Sequence, residues 1–435
     1  MTSVLMDVVE THLDEATWLW GQWQRALLAP DFDLADTMEM EERLLAHVDG
    51  LVEGGPVVGT ALLAPALESA ETARISAAFL ALLNTAPSAD QVRALLRGAE
   101  PLARGSMQRA LEVYEGRGLA EVLRPLLRTD DAELQALVLE TLVFRDEGLE
   151  DDLLADFLRH EDARVRMAAL RGLREPGQPR VRHLLLQGLL SAHAGIRMAA
   201  IEVALTAGLR EAWDACRQAL KTQGPEGRQA LVLWALGSDE EESGLLVEGL
   251  KHPARRADAL WALGFSGRLA AAEACLEWLG DKTVGRLAAE SFSGITGLRV
   301  EGSYVIPPEQ LQEEPIPLHE EDLDADLSSR PEDDLPVPDA AATASWWRGA
   351  QGNFAQGTRY LMGYPYQGGA LLTALMHGPM RRRHVWAWEL TVRSRGACRV
   401  PTHAFSRRQH AALERVKTMA PRLSMASFLR LPTAG

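Results

Sequence analysis

The sequence predicts an all-α protein: an α-solenoid of about nine helical hairpins of ~31 residues each, followed by an acidic linker and a small helical C-terminal domain. Three observations predict this. Arginine or glutamine recurs at Arg43, Arg74, Arg104, Gln135, Arg166, Arg197, Arg228, Arg256 and Arg286, in steps of 28 to 31 residues. Each of these positions opens a similar apolar run, as in Arg166-Met-Ala-Ala-Leu, Arg197-Met-Ala-Ala-Ile and Arg286-Leu-Ala-Ala-Glu. Within the runs Ala alternates with Leu, Val or Ile at three-and-four spacing, the pattern of a buried helix stripe, and strand-type alternation is almost absent.

Residues 1–40 read as an N-terminal aromatic helical cap. The run from His12 to Trp23 is amphipathic, with Leu13, Trp20 and Leu27 seven apart on one face. A repeat array exposes apolar surface at its ends and needs an atypical unit to cover it. Trp18, Trp20 and Trp23 are therefore expected to pack on the first repeat. Trp18 and Trp23 are also candidates for partner contact, because aromatic side chains dominate binding hot spots.

Residues 41–300 form the predicted array. A step of this length holds two helices of roughly 12 residues and two short turns. Asp131 and Asp162 stand four residues before the recurring position as N-caps, and His193 and His252 hold the same place less well. Pro101, Pro225 and Pro253 fall three residues before it, in the first helical turn. Gly208, Gly237, Gly264 and Gly294 follow and are expected to end the helices. The recurring arginine is periodic rather than unique, so its expected role is packing between repeat elements.

Residues 301–345 carry 13 acids against Arg330 alone, together with seven prolines, and read as an acidic, extended linker. Residues 346–435 carry 14 Arg or Lys against Glu389 and Glu414. Within this basic domain one helix is predicted over Gly369–Gly378, a second from Arg381 and a third over Arg407–Met419. The opposite charges raise the expectation that linker and tail neutralise one another. Arg381, Arg382 and Arg383 with Trp386 and Trp388 form the second candidate partner-binding cluster, since cations and aromatics together can also hold phosphates and stacked bases.

Composition bounds the class. The chain has 435 residues, 47% of them hydrophobic, and a formal net charge of −16, which disfavours nucleic acid and anionic membranes as partners of the whole molecule. Three dispersed cysteines suggest no disulfide framework and suit a reducing cytoplasm. The first residues lack a basic secretory leader, and no uncharged stretch reads as a membrane span.

The Asp-x-x-Val-Arg-x-x-Ala-x-x-x-Leu style seen from Asp162 resembles the short HEAT repeats of many bacterial proteins, a subfamily named after phycobilisome lyases. The resemblance implies a fold and no lyase activity. Three further motifs are His12-x-x-Glu-Ala…Leu-Trp20, Glu42-Arg-Leu-x-Ala-His-x-Asp-Gly-Leu51, and Tyr360-Leu-Met-Gly…Gly378-x-x-Arg-Arg-Arg-x-x-x-Ala-x-Glu-Leu390. Together they resemble a bacterial family of HEAT-repeat proteins often encoded near type VI secretion components. That resemblance implies an accessory role in effector loading or assembly and supplies no catalytic residues. Phosphate-binding loops, nucleophile elbows and zinc-protease helices are missing. Cys398, His403 and His410 are too loosely spaced for a structural zinc site. The reading is a non-enzymatic, cytoplasmic, protein-binding scaffold or adaptor without cofactor or metal. Its partner is another protein, by resemblance an effector or spike-tip component, with no membrane partner. Two alternatives are a nucleic-acid-associated protein acting through the basic tail and an immunity-like toxin inhibitor.

Overall fold

The computed structural model describes residues 5–174, 179–311 and 332–431. It is an all-α solenoid. Among the described residues the only strands are the antiparallel pair Tyr360–Leu361 and Tyr364–Pro365. Two long helices open the chain, α1 (Met6–Ala26) and α2 (Leu34–Glu53). The second helices of the following hairpins are α3 (Thr72–Asn84), α4 (Pro101–Val113), α5 (Ala132–Phe144), α6 (Ala163–Gly172), α7 (Ala194–Thr206), α8 (Pro225–Gly237), α9 (Pro253–Ser266) and α10 (Gly285–Thr296). Four more helices follow: α11 (Ala340–Ala350), α12 (Gly368–His377), α13 (Met380–Arg393) and α14 (Ser406–Lys417).

The predicted punctuation is visible at the N-termini. Asp131 accepts from Leu134 N–H, and Asp162 accepts from the N–H groups of Arg164 and Val165. His193 caps weakly, through Ile196 N–H at 3.4 Å, and His252 makes no side-chain cap. At four of the nine recurring positions the side chain reaches back across its hairpin turn to carbonyls at the end of the preceding helix, whereas Arg74 pairs with Asp14, Arg228 with Asp258 and Glu332, and Arg286 donates to Asp333 O. Arg104 donates to Arg97 O, Gln135 to Leu127 O and Thr129 O, Arg197 to Ser191 O, and Arg256 to Leu250 O. A long donor is needed there because the last carbonyls of a helix have no partner within it.

Gly208 is left-handed just after α7, as expected, and Gly237 is the last residue of α8. Gly264 and Gly294 lie inside helices, and the left-handed residues that follow α9 and α10 are Gly267 and Gly297. Gly237 and Gly294 mark close approach of the C-terminal chain. Gly294 O and Ile295 O accept from Met362 and Gly363 N–H, while a Cβ on Gly237 would run into Phe428.

Two compact units divide the chain: residues 1–212 with 376–416, and residues 213–375 with 417–435. The stretch 346–435, expected as one basic domain, is thus shared between the units. In the first unit α1 packs on α2 and α3, and α3 to α7 stack in order. Trp20 and Trp23 are buried there, whereas Trp18, expected to pack with them, is exposed. In the second unit α8, α9 and α10 stack, and Trp213, stacked on Trp234 at 4.4 Å, is met by Phe428.

The acidic stretch is pinned at its ends. Ile306 N–H donates to Val337 O at 2.9 Å, Asp339 N–H to Tyr304 O at 2.8 Å, and Val305 bridges Pro338. The chain therefore enters and leaves the stretch side by side, where an extended linker would separate the two points. Apolar Val305, Ile306 and Val337 flanking the acids make this pairing favourable. Residues 312–331, where acid pairing with the tail was expected, lie outside the described residues.

Candidate functional site

In the first unit, the two ends of the sequence meet around Glu41. This residue stands at three-and-four spacing with Leu44, Val48 and Leu51, on the buried stripe of α2, so its carboxyl is carried into the core. Trp23 Nε1 of α1 donates to one carboxyl oxygen at 2.8 Å. Ser406 donates to the other through its backbone N–H, at 2.6 Å, and through its hydroxyl. Burial pushes the Glu41 carboxyl up to about 7 against the lowering effect of these three donors. Trp23 stacks obliquely on Phe405 at 5.0 Å and is covered by the Arg109 guanidinium at 4.9 Å. Arg109 in turn pairs with Glu112 at 2.8 Å and donates to His403 O.

α13 is docked beside this centre. Its first residues, Met380 and Arg381, donate backbone N–H bonds to Phe32 O and Ala29 O in the α1–α2 turn, at 2.8 and 3.2 Å. His384 donates from Nε2 to Leu27 O at 2.9 Å, and its Nδ1 meets the Thr402 hydroxyl at 2.8 Å, an arrangement that places a proton on Nε2. Burial lowers His384 to about 4, and the stacked His403 ring, 3.9 Å away, is lowered in the same direction. Arg383 is locked by Gln409 at 2.7 Å, whose amide is itself held by Thr402 O and Ala404 O. Glu389 and Arg393 form a fully buried pair at 2.7 Å.

The tail's cations also serve the repeat helices directly. Arg408 donates to Glu112 O at the end of α4 and to Arg145 O just after α5. Arg395 donates to Leu205 O near the end of α7 at 3.0 Å. In the second unit Arg359 donates to Phe265 O and Ser266 O at the end of α9, with Tyr366 over its guanidinium at 4.2 Å. Positive charge at a helix C-terminus is stabilising, by about 0.3–1 kcal/mol and up to ~2 when partly buried. Arg408→Met, which keeps the length but not the donors, should cost about 1–2 kcal/mol in urea unfolding of the full chain. A loss below a few tenths would contradict the capping role.

These placements decide the fate of the nominated residues. Arg381, Arg382, Arg383, Trp386 and Trp23 are buried, so they do not form a partner-facing surface in this fold. Their charge and aromaticity are consumed in packing between the chain's own segments. Trp388 is half-buried, and Trp18 remains 54% exposed, over a small cavity with Phe32, Met40 and Arg43. The nucleic-acid reading loses the cluster on which it rested. Sequence reasoning passed over Glu41, Arg109, His384 and Ser406. Only Glu41 carried a signal, as an acid in register with an apolar stripe.

The motifs His12–Trp20 and Glu42–Leu51 also acquire physical content. His12 and His47 face one another with Nδ1 atoms 3.0 Å apart, and a Cβ on Gly50 would strike the His12 ring at 2.9 Å. A side chain at position 50 would therefore displace the His12 ring from His47. Chemically, the Glu41 centre is a lock. A raised carboxyl beside a hydroxyl could act as base and nucleophile, but both groups are sealed in the core and a substrate could not reach them. Among the described residues no three His, Cys, Asp or Glu side chains are grouped to hold a metal, and no helix is long and apolar enough to cross a membrane.

Comparison with known proteins bears on the repeats. Residues 120–206 match a family model described as HEAT repeats. The HEAT match therefore covers α5, α6 and α7. No curated protein was found to match the chain. Similar solved structures include an engineered protein, 18% identical, with 65% of this chain and 89% of that chain covered at a TM-score of 0.30. Another is human deoxyhypusine hydroxylase in complex with glycerol, 16% identical, with 66% of this chain and 95% of that chain covered at a TM-score of 0.21.

Proposed function

We propose that this protein is a non-enzymatic scaffold or adaptor that holds another protein on its HEAT-type helices. The supporting observation is a polar ladder across successive helices of the first unit. Glu140 of α5 accepts from Gln108 of α4 at 2.9 Å and from Arg164 of α6 at 2.9 and 2.7 Å. Arg171 of α6 pairs with Glu202 of α7 at 3.0 Å. Side chains held by their neighbours lose little freedom on binding, so a half-exposed ladder is a pre-organised surface for a protein partner. The motif resemblance, rather than the geometry, supplies the client class: a type VI secretion effector or spike-tip component, met in the bacterial cytoplasm.

Capture of the full chain from its native cell extract, followed by crosslinking and mass spectrometry, tests this. One protein client crosslinked to α4–α7 is expected, whereas nucleic acid alone, or no client, would sink the reading. Arg171→Gln, which removes the charge without setting a second carboxylate against Glu202, should cost about 1 kcal/mol of stability, yet abolish capture. Trp18→Ala should leave stability within about 0.5 kcal/mol and weaken capture if Trp18 is an anchor. Undiminished capture would remove it from the interface.

A further inference from the structure

Between the first two hairpins of the array lies an open groove of about 1340 Å³. Small-molecule sites fall at roughly 300–1,000 Å³, so this groove is sized for a peptide segment. One wall is the π-helical turn Gly59–Leu63 with Ala64–Ala66, and the other is the helix Ala89–Gly98 with the start of α4. The end of α3 forms the floor. Apolar contact comes from Leu67, Leu82, Leu95, Leu102 and Met107, with Leu102 more than half exposed. Small residues, Gly59, Ala64, Ala94, Gly98 and Ala103, keep the walls low enough for a second backbone to approach.

Two local irregularities border the groove. π-Helical turns interrupt α-helices and concentrate at functional sites, and one stands in this wall. Ala86, at the end of the floor, has φ 54°, a strained value for a residue with a side chain.

The electrostatics select the occupant. The charged residues lining the groove are Glu68 and Glu100, both acidic. The C-terminal ends of α3 and of the helix Ala89–Gly98 also border it with partial negative charge, against the single N-terminus of α4, where Glu100 supplies a full negative charge. A second copy of this acidic chain, or its own acidic stretch 301–345, would be repelled. We propose that the groove docks an amphipathic helix of a partner protein, apolar on one face and flanked by Lys or Arg. This names the partner chemistry and rests on the scaffold reading.

The probe is a fluorescein-labelled peptide of about 14 residues with Leu on one helical face and Lys on the other, with a Leu/Glu counterpart. Binding to the full chain is read by anisotropy. The Leu/Lys peptide should bind at least about tenfold more tightly than the Leu/Glu peptide. Ala94→Trp, at an exposed position, fills the groove and should weaken binding at least about tenfold, as should Leu102→Gln or Glu68→Lys with Glu100→Lys. Circular dichroism confirms that each variant is folded. Binding indifferent to Ala94→Trp would be adsorption to an acidic surface and would overturn the proposal. So would a change in the oligomeric state of the free protein caused by Ala94→Trp, which would make the groove a self-interface. If native-extract capture succeeds equally with Ala94→Trp, the groove assignment fails while the scaffold reading stands. If wild type captures no client, the scaffold reading fails whatever the peptide does.

Discussion

Trp23→Ala should cost about 3–5 kcal/mol, the range for emptying a buried aromatic site. The ring fills the space between Trp20, 5.5 Å away, and Phe405. It also covers Arg109 and donates to Glu41, so its removal leaves a cavity, a less screened buried cation and a carboxyl short of a donor. Trp23→Phe separates these contributions. It keeps most of the volume and loses the N–H, and should cost about 1–2 kcal/mol. Urea unfolding of the full chain checks both. Equal losses for the two variants would mean that the hydrogen bond, and not the packing, carries the interaction. A loss below about 1 kcal/mol for Trp23→Ala would show that the two ends of the chain are not held together there.

Glu41→Gln should gain on wild type as the pH rises from 4.5 to about 7. The Glu41 carboxyl moves from an ordinary 4.5 to about 7 on folding. Within that window the folded chain keeps a proton that the unfolded chain has released, so raising the pH favours unfolding. The swing is on the order of 3 kcal/mol, and the glutamine variant lacks it. His384 works in the other direction. Burial lowers it from 6.5 to about 4, so the unfolded chain takes up its proton first and stability falls as the pH drops from 6.5 through 4. The two windows overlap between 4.5 and 6.5, where the contributions offset. Relative to wild type, Glu41→Gln should then be steeply acid-sensitive, and His384→Gln should lose only part of the acid sensitivity, because burial lowers the stacked His403 as well. Unfolding midpoints across pH 4–8 check this, and parallel profiles for all three proteins would show that neither group is perturbed.

Legibility in the sequence followed the range of the interactions. The repeat period, the Asp131 and Asp162 caps and the three tail helices depend on residues close along the chain, and each can be read from spacing. The recurring arginine was legible as packing, though its target, the carbonyls of the preceding helix, is a matter of reach in space. Gly294 misled because a glycine near a helix end has two uses, and only the position of Met362 and Gly363 shows that close approach decides here. Arg381, Arg382, Arg383 and Trp386 misled more deeply. A basic cluster reads as surface until something is found to bury it, and here that takes Ala29 and Phe32 more than 300 positions upstream together with Gln409 downstream.

Those separations set a timetable. Glu41 and Ser406 are 365 positions apart, and Leu27 and His384 are 357 apart. Repeat arrays ordinarily fold by near-neighbour contacts and can start anywhere. On a ribosome adding about 5–20 residues per second, α1 and α2 emerge roughly 20–70 s before Ser406 exists. During that interval Glu41 lacks two of its donors and the face of Trp23 that meets Phe405 stays open, a surface on which nascent chains can aggregate or chaperones can settle. The helices made first are the last to be finished.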